Sequence, residues 1–313
     1  MPLPDTYLSY PHRTRGNDQD RYDWTARNAR TPMSLPGGAA VAALIVVPLE
    51  YHRLNPATKP FAAPGAMVTP YPDLRHYTTR DYGNRIGAFR LLAELKAAKL
   101  KATFAVNAAL LSRVRPLIDA IVADGHEIAA HGFAADAIHW SGLDESAETD
   151  LIARTLEGFR HAGFEPRVWM SPARQQSFRT LDLIARAGLR ICLDWESDSV
   201  PLRMRTRYGE LIAVPLANEL DDRLLLIGRH QTEEEWSTQI GDALEMLRAE
   251  APRAGGQVLS FSLTPYISGQ PFRIREVRRV LQRLAEDPAL WTATASQIAA
   301  YAPPARAGSS STL

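Results

Sequence analysis

Apolar residues along this chain follow two rhythms. Runs without polar interruption, headed by Ala39 to Leu49, read as strands buried on both faces; longer stretches space Leu, Ile, Val and Phe three and four apart, as one helix face does. Strands are expected to start near Val41, Ala102, Glu127, Val168, Leu189, Leu211 and Val258. Helices are expected over Ile86 to Lys99, Leu110 to Val122, Ser146 to His161, Leu181 to Ala187, Glu233 to Ala251, Arg275 to Ala285 and Ser296 to Tyr301. The punctuation agrees: Gly125, Gly163 and Gly188 each stop a helix, Ser177 is placed to cap the helix from Leu181, and Thr232 with Glu235 makes a capping box.

Strand, loop and helix repeated in this way argue for a parallel sheet, and one α/β barrel closes a chain of this length more simply than two domains. A doubly wound sheet is the alternative, but no glycine-rich phosphate loop follows the first strand. Residues 1–36 mix Pro, Arg, Asp and Tyr without apolar period and are expected to form an extended arm; residues 37–303 form the barrel, and 304–313 a disordered tail. The Pro-rich connection from Asn55 to Asp73 is too long for a turn and is expected to shape a pocket rim.

Charge changes this picture little. With 36 Lys and Arg against 35 Asp and Glu the 313-residue chain has a formal charge of +1, and no basic face suggests nucleic acid. The longest apolar run is too short to span a bilayer, and Met1-Pro2-Leu3-Pro4-Asp5 lacks a charged-then-apolar leader pattern, so no membrane partner and a cytoplasmic location are expected. The single cysteine, Cys192, excludes an internal disulfide and reads as a small core residue.

Candidate chemistry gathers where strands end, which is where α/β folds place their sites. Glu50 is the first charge after the first apolar run, and burial there is expected to raise its pKa toward neutral. His131 follows the strand Glu127 to Ala130; His126 and His131 are five apart, so the helical zinc-protease motif does not apply. Asp194 and Trp195 end a later strand.

Several segments together resemble the polysaccharide deacetylase (NodB homology) family, in its allantoinase-like and cyclic-imide-hydrolase-like branch. They are Asp81-Tyr82-Gly83-Asn84-Arg85, Gly125-His126-Glu127-Ile128-Ala129-Ala130-His131-Gly132, Asp194-Trp195 with Asp198, Asn218-Glu219-Leu220-Asp221, and Thr264 to Arg273, in the family's order. The resemblance implies a distorted seven-stranded (β/α) barrel that hydrolyses a non-peptide carbon–nitrogen bond of an acetamido sugar, imide or ureide. Metal-dependent members use an aspartate pair after the first strand and two histidines four apart. Here the pair is Leu49-Glu50, the second histidine falls on Ala135, and the late histidine before Pro-Tyr-Ile is Thr264.

On that basis Glu50 is expected as base, His131 as acid or electrostatic partner, and Asp194 as an orienting acid, with capping of backbone amides as its alternative. Arg85, Trp169, Trp195, Glu219 and Thr264 are expected around a small-molecule substrate, while Asp221-Asp222 reads as a solvated turn. No cofactor is expected: zinc is disfavoured because Glu50 and His131, even with His139 swinging in, make a thin ligand set. The resemblance also implies a homo-oligomer. A relative that binds a small molecule or partner subunit without turnover is the alternative function.

Overall fold

The computed structural model describes residues 19–56 and 72–304. The first half of the expected arm, most of the Pro-rich connection and nearly all of the expected tail lie outside these residues.

Among the described residues nine strands form one curled, mostly parallel sheet: β1 (Val41–Leu49), β2 (Thr103–Val106), β3 (Glu127–Ala130), β4 (Val168–Trp169), β5 (Ile191–Cys192), β6 (Leu202–Thr206), β7 (Gly209–Ala213), β8 (Gln257–Ser262) and β9 (Leu290–Thr292). Their order is β6-β7-β5-β4-β3-β2-β1-β8, with β9 on β1. Two strands exceed the seven expected. In β6 only Met204 is buried, and it pairs antiparallel with β7 at the sheet edge, so its polar alternation carries little strand signal. The three-residue β9 is half-buried throughout and pairs with Val41 to Ala43. The path is not closed by a strand ladder, but Ser199 accepts from the Val258 N–H (2.8 Å) and Ser260 Oγ from the Ala217 N–H (2.9 Å), which stitch its two sides together.

Side chains alternate along each strand, and the core divides accordingly. Val41, Ala43, Ile45, Val47 and Leu49 join Phe104, Val106, Ala130, Trp169 and Cys192 in a cluster with the helices. Ala42, Leu44 and Val46 pack instead with Ala129, Val168, Met170, Ile191, Leu193 and Val258 inside the curl. Each fully buried Leu, Ile or Val contributes roughly 1.5–3 kcal/mol, so β1, buried at all nine positions, anchors both layers.

Helices follow the expected rhythm with shifted ends: α1 (Leu74–Tyr82), α2 (Ala88–Ala97), α3 (Arg115–Ala123), α4 (Glu145–His161), α5 (Thr180–Arg186), α6 (Glu233–Ala254), α7 (Pro265–Ser268), α8 (Ile274–Glu286) and α9 (Ala295–Ala299). The Thr232 capping box forms. Ser177 does not cap α5; its hydroxyl accepts from Arg179 N and donates to Glu148. The first helix starts twelve residues before the expected Ile86, on an Asp73 N-cap, and runs into α2 through a π-turn at Gly83–Gly87. A Cβ on Gly87 would lie 2.0 Å from Pro265 O and one on Gly83 2.7 Å from Tyr266 N, so glycine lets this turn touch the loop after β8.

The described part of the N-terminal segment lies on the body. Arg21 forks onto Asp182 (2.7 and 3.0 Å), Arg27 pairs with Glu250, Arg30 with Asp198, and Met33 bridges to Gly255. Behind Arg27 and Arg30 lies a cavity of about 640 Å³ floored by Val258 and Ser260; neither Glu50 nor His131 lines it.

His126 belongs to the packing. Burial, then the charge of Lys101, lowers its pKa to about 4, and its Nδ1 accepts from Ala102 N (3.1 Å), a bond that protonation there would break. His76 is likewise lowered to about 4, by burial and then Arg80. In the unfolded chain such groups protonate near 6.5, so native stability is full above that value and falls as pH drops toward 4. The urea midpoint should therefore fall between pH 7 and pH 4.5, and His126→Asn should flatten the decline; an unchanged slope would refute the assignment.

Candidate functional site

The alternation of β1 continues past its end. Positions 42, 44 and 46 face the inside of the curl, and Glu50 and His52 keep that parity. On β3, Ala129 faces inside and His131 follows it; on β8, Val258 and Ser260 lead to Thr264. Glu50 and His131 meet: Glu50 Oε1 lies 3.8 Å from His131 Nε2. Asn107 holds both chain ends, accepting from Tyr51 N (2.8 Å) and donating to the His131 carbonyl.

The imidazole is oriented from behind. Its Nδ1 lies 2.9 Å from the Met170 carbonyl, which only accepts, so Nδ1 carries a proton. In the neutral ring Nε2 is therefore a lone pair, and it has no hydrogen-bond partner although His131 is 1% exposed.

Glu50 departs from expectation. Burial does push its pKa up, but the guanidinium of Arg223, with His52 beside it, outweighs that and holds the carboxyl well below the usual range. Arg223 Nη2 donates to Oε2 at 2.9 Å, and His52 Nε2 is 3.1 Å from the same oxygen. Asn84 Nδ2 donates to the Glu50 carbonyl (2.9 Å). Tyr266 lies beneath two cations, Arg80 at 5.0 Å and Arg223 at 5.8 Å from its ring centre. Arg223, His52, Asn84 and Tyr266 were not singled out from the sequence. His52 was legible by parity; Arg223 was hidden in a non-periodic turn.

The remaining candidates sit elsewhere. Asp194 accepts from Ser171 N (2.9 Å), Ser171 Oγ (2.7 Å) and Gln176 Nε2 (2.6 Å), so its oxygens hold the 171–176 loop, the capping alternative. Both Asp194 and the fully buried Trp169 fall on the parity opposite Leu193 and Met170; Trp169 donates to Ser171 Oγ and packs edge-on against His139 (5.5 Å). Trp195 donates to Gln176 Oε1 (2.9 Å) and packs edge-on to Tyr22. Arg85 is solvent-facing, 4.0 Å from Asp81, and Asn84 beside it makes the inward contact. Glu219 is exposed and paired with Arg229. His139 does not swing in: it is 1% exposed and held 3.2 Å from Glu148.

Thr264 is buried on Asp222, which accepts from its N–H (2.6 Å) and hydroxyl (2.7 Å) and from Ser268. Asp222 is fully buried rather than a solvated turn, and burial with the neighbouring Asp221 raises its pKa to about 7. Burial and the adjacent Asp194 push the Cys192 thiol up, away from reactivity.

The donor set offered to a divalent ion here is thin. Arg223 already occupies one oxygen of Glu50, the second-histidine position is Ala135 (4% exposed), and no cluster of three His, Cys, Asp or Glu suited to a metal occurs among the described residues.

Comparison with known proteins agrees with this frame. The polysaccharide deacetylase family model matches residues 71–192. A polysaccharide deacetylase-like protein of Schizosaccharomyces pombe is 22% identical over 240 residues, 70% of this chain and 73% of its own. The Puue allantoinase structure superposes with a TM-score of 0.79 at 21% identity, covering 94% of this chain and 97% of that one. A probable polysaccharide deacetylase of Pseudomonas aeruginosa PAO1 gives 0.78 at 22%, covering 87% and 94%. The family match over residues 71–192 and the fold shared with these structures agree: this chain is similar to the polysaccharide deacetylases and has their curled α/β fold.

Proposed function

We propose that this protein hydrolyses a non-peptide carbon–nitrogen bond in a small amide, cyclic imide, ureide or acetamido sugar, with His131 as proton carrier and Glu50 as orienting carboxylate. The observation that carries this is the pair Glu50 Oε1 and His131 Nε2, 3.8 Å apart, with the far side of the imidazole tied to Met170.

Two acceptors at that separation suit one water, which donates a proton to each from about 2.8 Å and turns its lone pair outward. The water oxygen bonds to the carbonyl carbon as its proton passes to His131 Nε2. The carbon–nitrogen bond then breaks, and the same proton goes to the departing nitrogen. Glu50 is the poorer base, since Arg223 and His52 hold it ionised. One histidine serving in both directions answers the want of an acid at Thr264.

The test is turnover of a panel spanning allantoin, dihydropyrimidines, succinimides and N-acetylated sugars. Hydrolysis of at least one class is expected. Saturable binding of a panel member with no turnover would favour the binding-protein reading, for which Ala135 and the occupied Thr264 hydroxyl speak.

A further inference from the structure

Glu50 is a buried carboxylate, and a buried charge persists only with a partner. That partner is the guanidinium of Arg223, on a π-turn at Arg223–Gly228. The preceding residue, Asp222, is clamped by Thr264 and Ser268, so the loop that departs from the family at Thr264 anchors the start of the Arg223 turn. Tyr266 closes under the same guanidinium, and Arg223 Nε is buried without a hydrogen-bond partner.

We propose that Arg223 is the resident cation of this centre: its guanidinium, on Glu50 Oε2, balances and positions the carboxylate and supplies the positive charge that a divalent ion would otherwise bring. Taking Glu50 as the site carboxylate rests on the proposed function. The physical reason is charge. An ion bound to Glu50 at roughly 2.0–2.2 Å would share one carboxylate with a guanidinium nitrogen 2.9 Å from it, and with Glu50's single negative charge already balanced the two cations would repel. Arg223 is thus a positioning residue, and the substitution at Ala135 accompanies it: with a fixed organic cation in place, a second histidine has nothing to bind.

Zinc uptake tests this without reference to turnover. Zn²⁺ is titrated calorimetrically into the parent, Ala135→His, Arg223→Met and the double variant Arg223→Met/Ala135→His, with thermal melts confirming that each is folded. The parent and Ala135→His should bind no stoichiometric zinc at 10 micromolar, a concentration of order that tight catalytic sites saturate easily. The double variant should bind one equivalent, lost on adding His131→Ala. Should Arg223→Met fail to fold, Arg223→Gln, which keeps a planar donor without charge, replaces it. Zinc binding by Ala135→His as tight as that of the double variant, or no zinc in a folded double variant, would overturn the proposal. Both outcomes are read whether or not any panel substrate is hydrolysed.

Discussion

Replacing His131 with alanine should lower kcat/KM on any panel substrate by about a thousandfold, within the range for removing a general acid–base group. The residue is asked to take a proton from water and return it to nitrogen; the other imidazole at this carboxylate, His52, sits on Oε2 beside Arg223, away from the Oε1–His131 gap. Glu50→Gln should cost about a hundredfold, less than His131→Ala, because the amide still accepts a water hydrogen bond through its oxygen but leaves Arg223 without its counter-charge. Steady-state kinetics of both variants beside the parent check this order. A His131→Ala enzyme that keeps more than a tenth of parental activity would remove histidine from the reaction, and a larger loss in Glu50→Gln would return the role of base to the carboxylate.

Gly87→Val should cost about 3 kcal/mol of stability, lowering Tm by roughly 5–10 °C. The cause is backbone against backbone: the added carbon would stand 2.0 Å from Pro265 O, and the opposite wall, Gly269, is itself 2.4 Å from Pro265 O and from the Gly87 Cα when given a Cβ. No rotamer relieves such a contact, so the π-turn and the 264–269 loop must part. The same turn carries Asn84, whose amide fixes the Glu50 carbonyl, so activity should fall with stability. Gly228→Ala, whose nearest neighbour would be a flexible leucine methyl at 3.4 Å, serves as control with a change near about 0.5 kcal/mol. Equal melting shifts for the two variants would contradict the close-approach account.

What the sequence determined by itself was the periodic part. The unbroken apolar run of β1 marked a strand covered on both sides, short apolar stretches next to glycine or turn signals marked β2, β3 and β8, and glycine stops and the Thr232 box marked helix ends because those effects act within a few residues. Strand parity also lay in the sequence: it sends Glu50 and His131 inward with Ala42, Leu44 and Ala129, and turns Trp169 and Asp194 to the other side. The edge strand β6 escaped because a half-exposed, hairpin-paired segment needs no apolar run.

Tertiary structure alone decided the electrostatics. The pKa of Glu50 follows from a guanidinium 173 positions later in the chain, carried on a turn without periodicity, and burial without that partner points the other way. Asp222, expected from the sequence in a solvated turn, is buried because Thr264 and Ser268 close over it. Local pattern fixes which face a residue takes; the charge it meets there depends on chain folded back from far away, and no local rule records that distance.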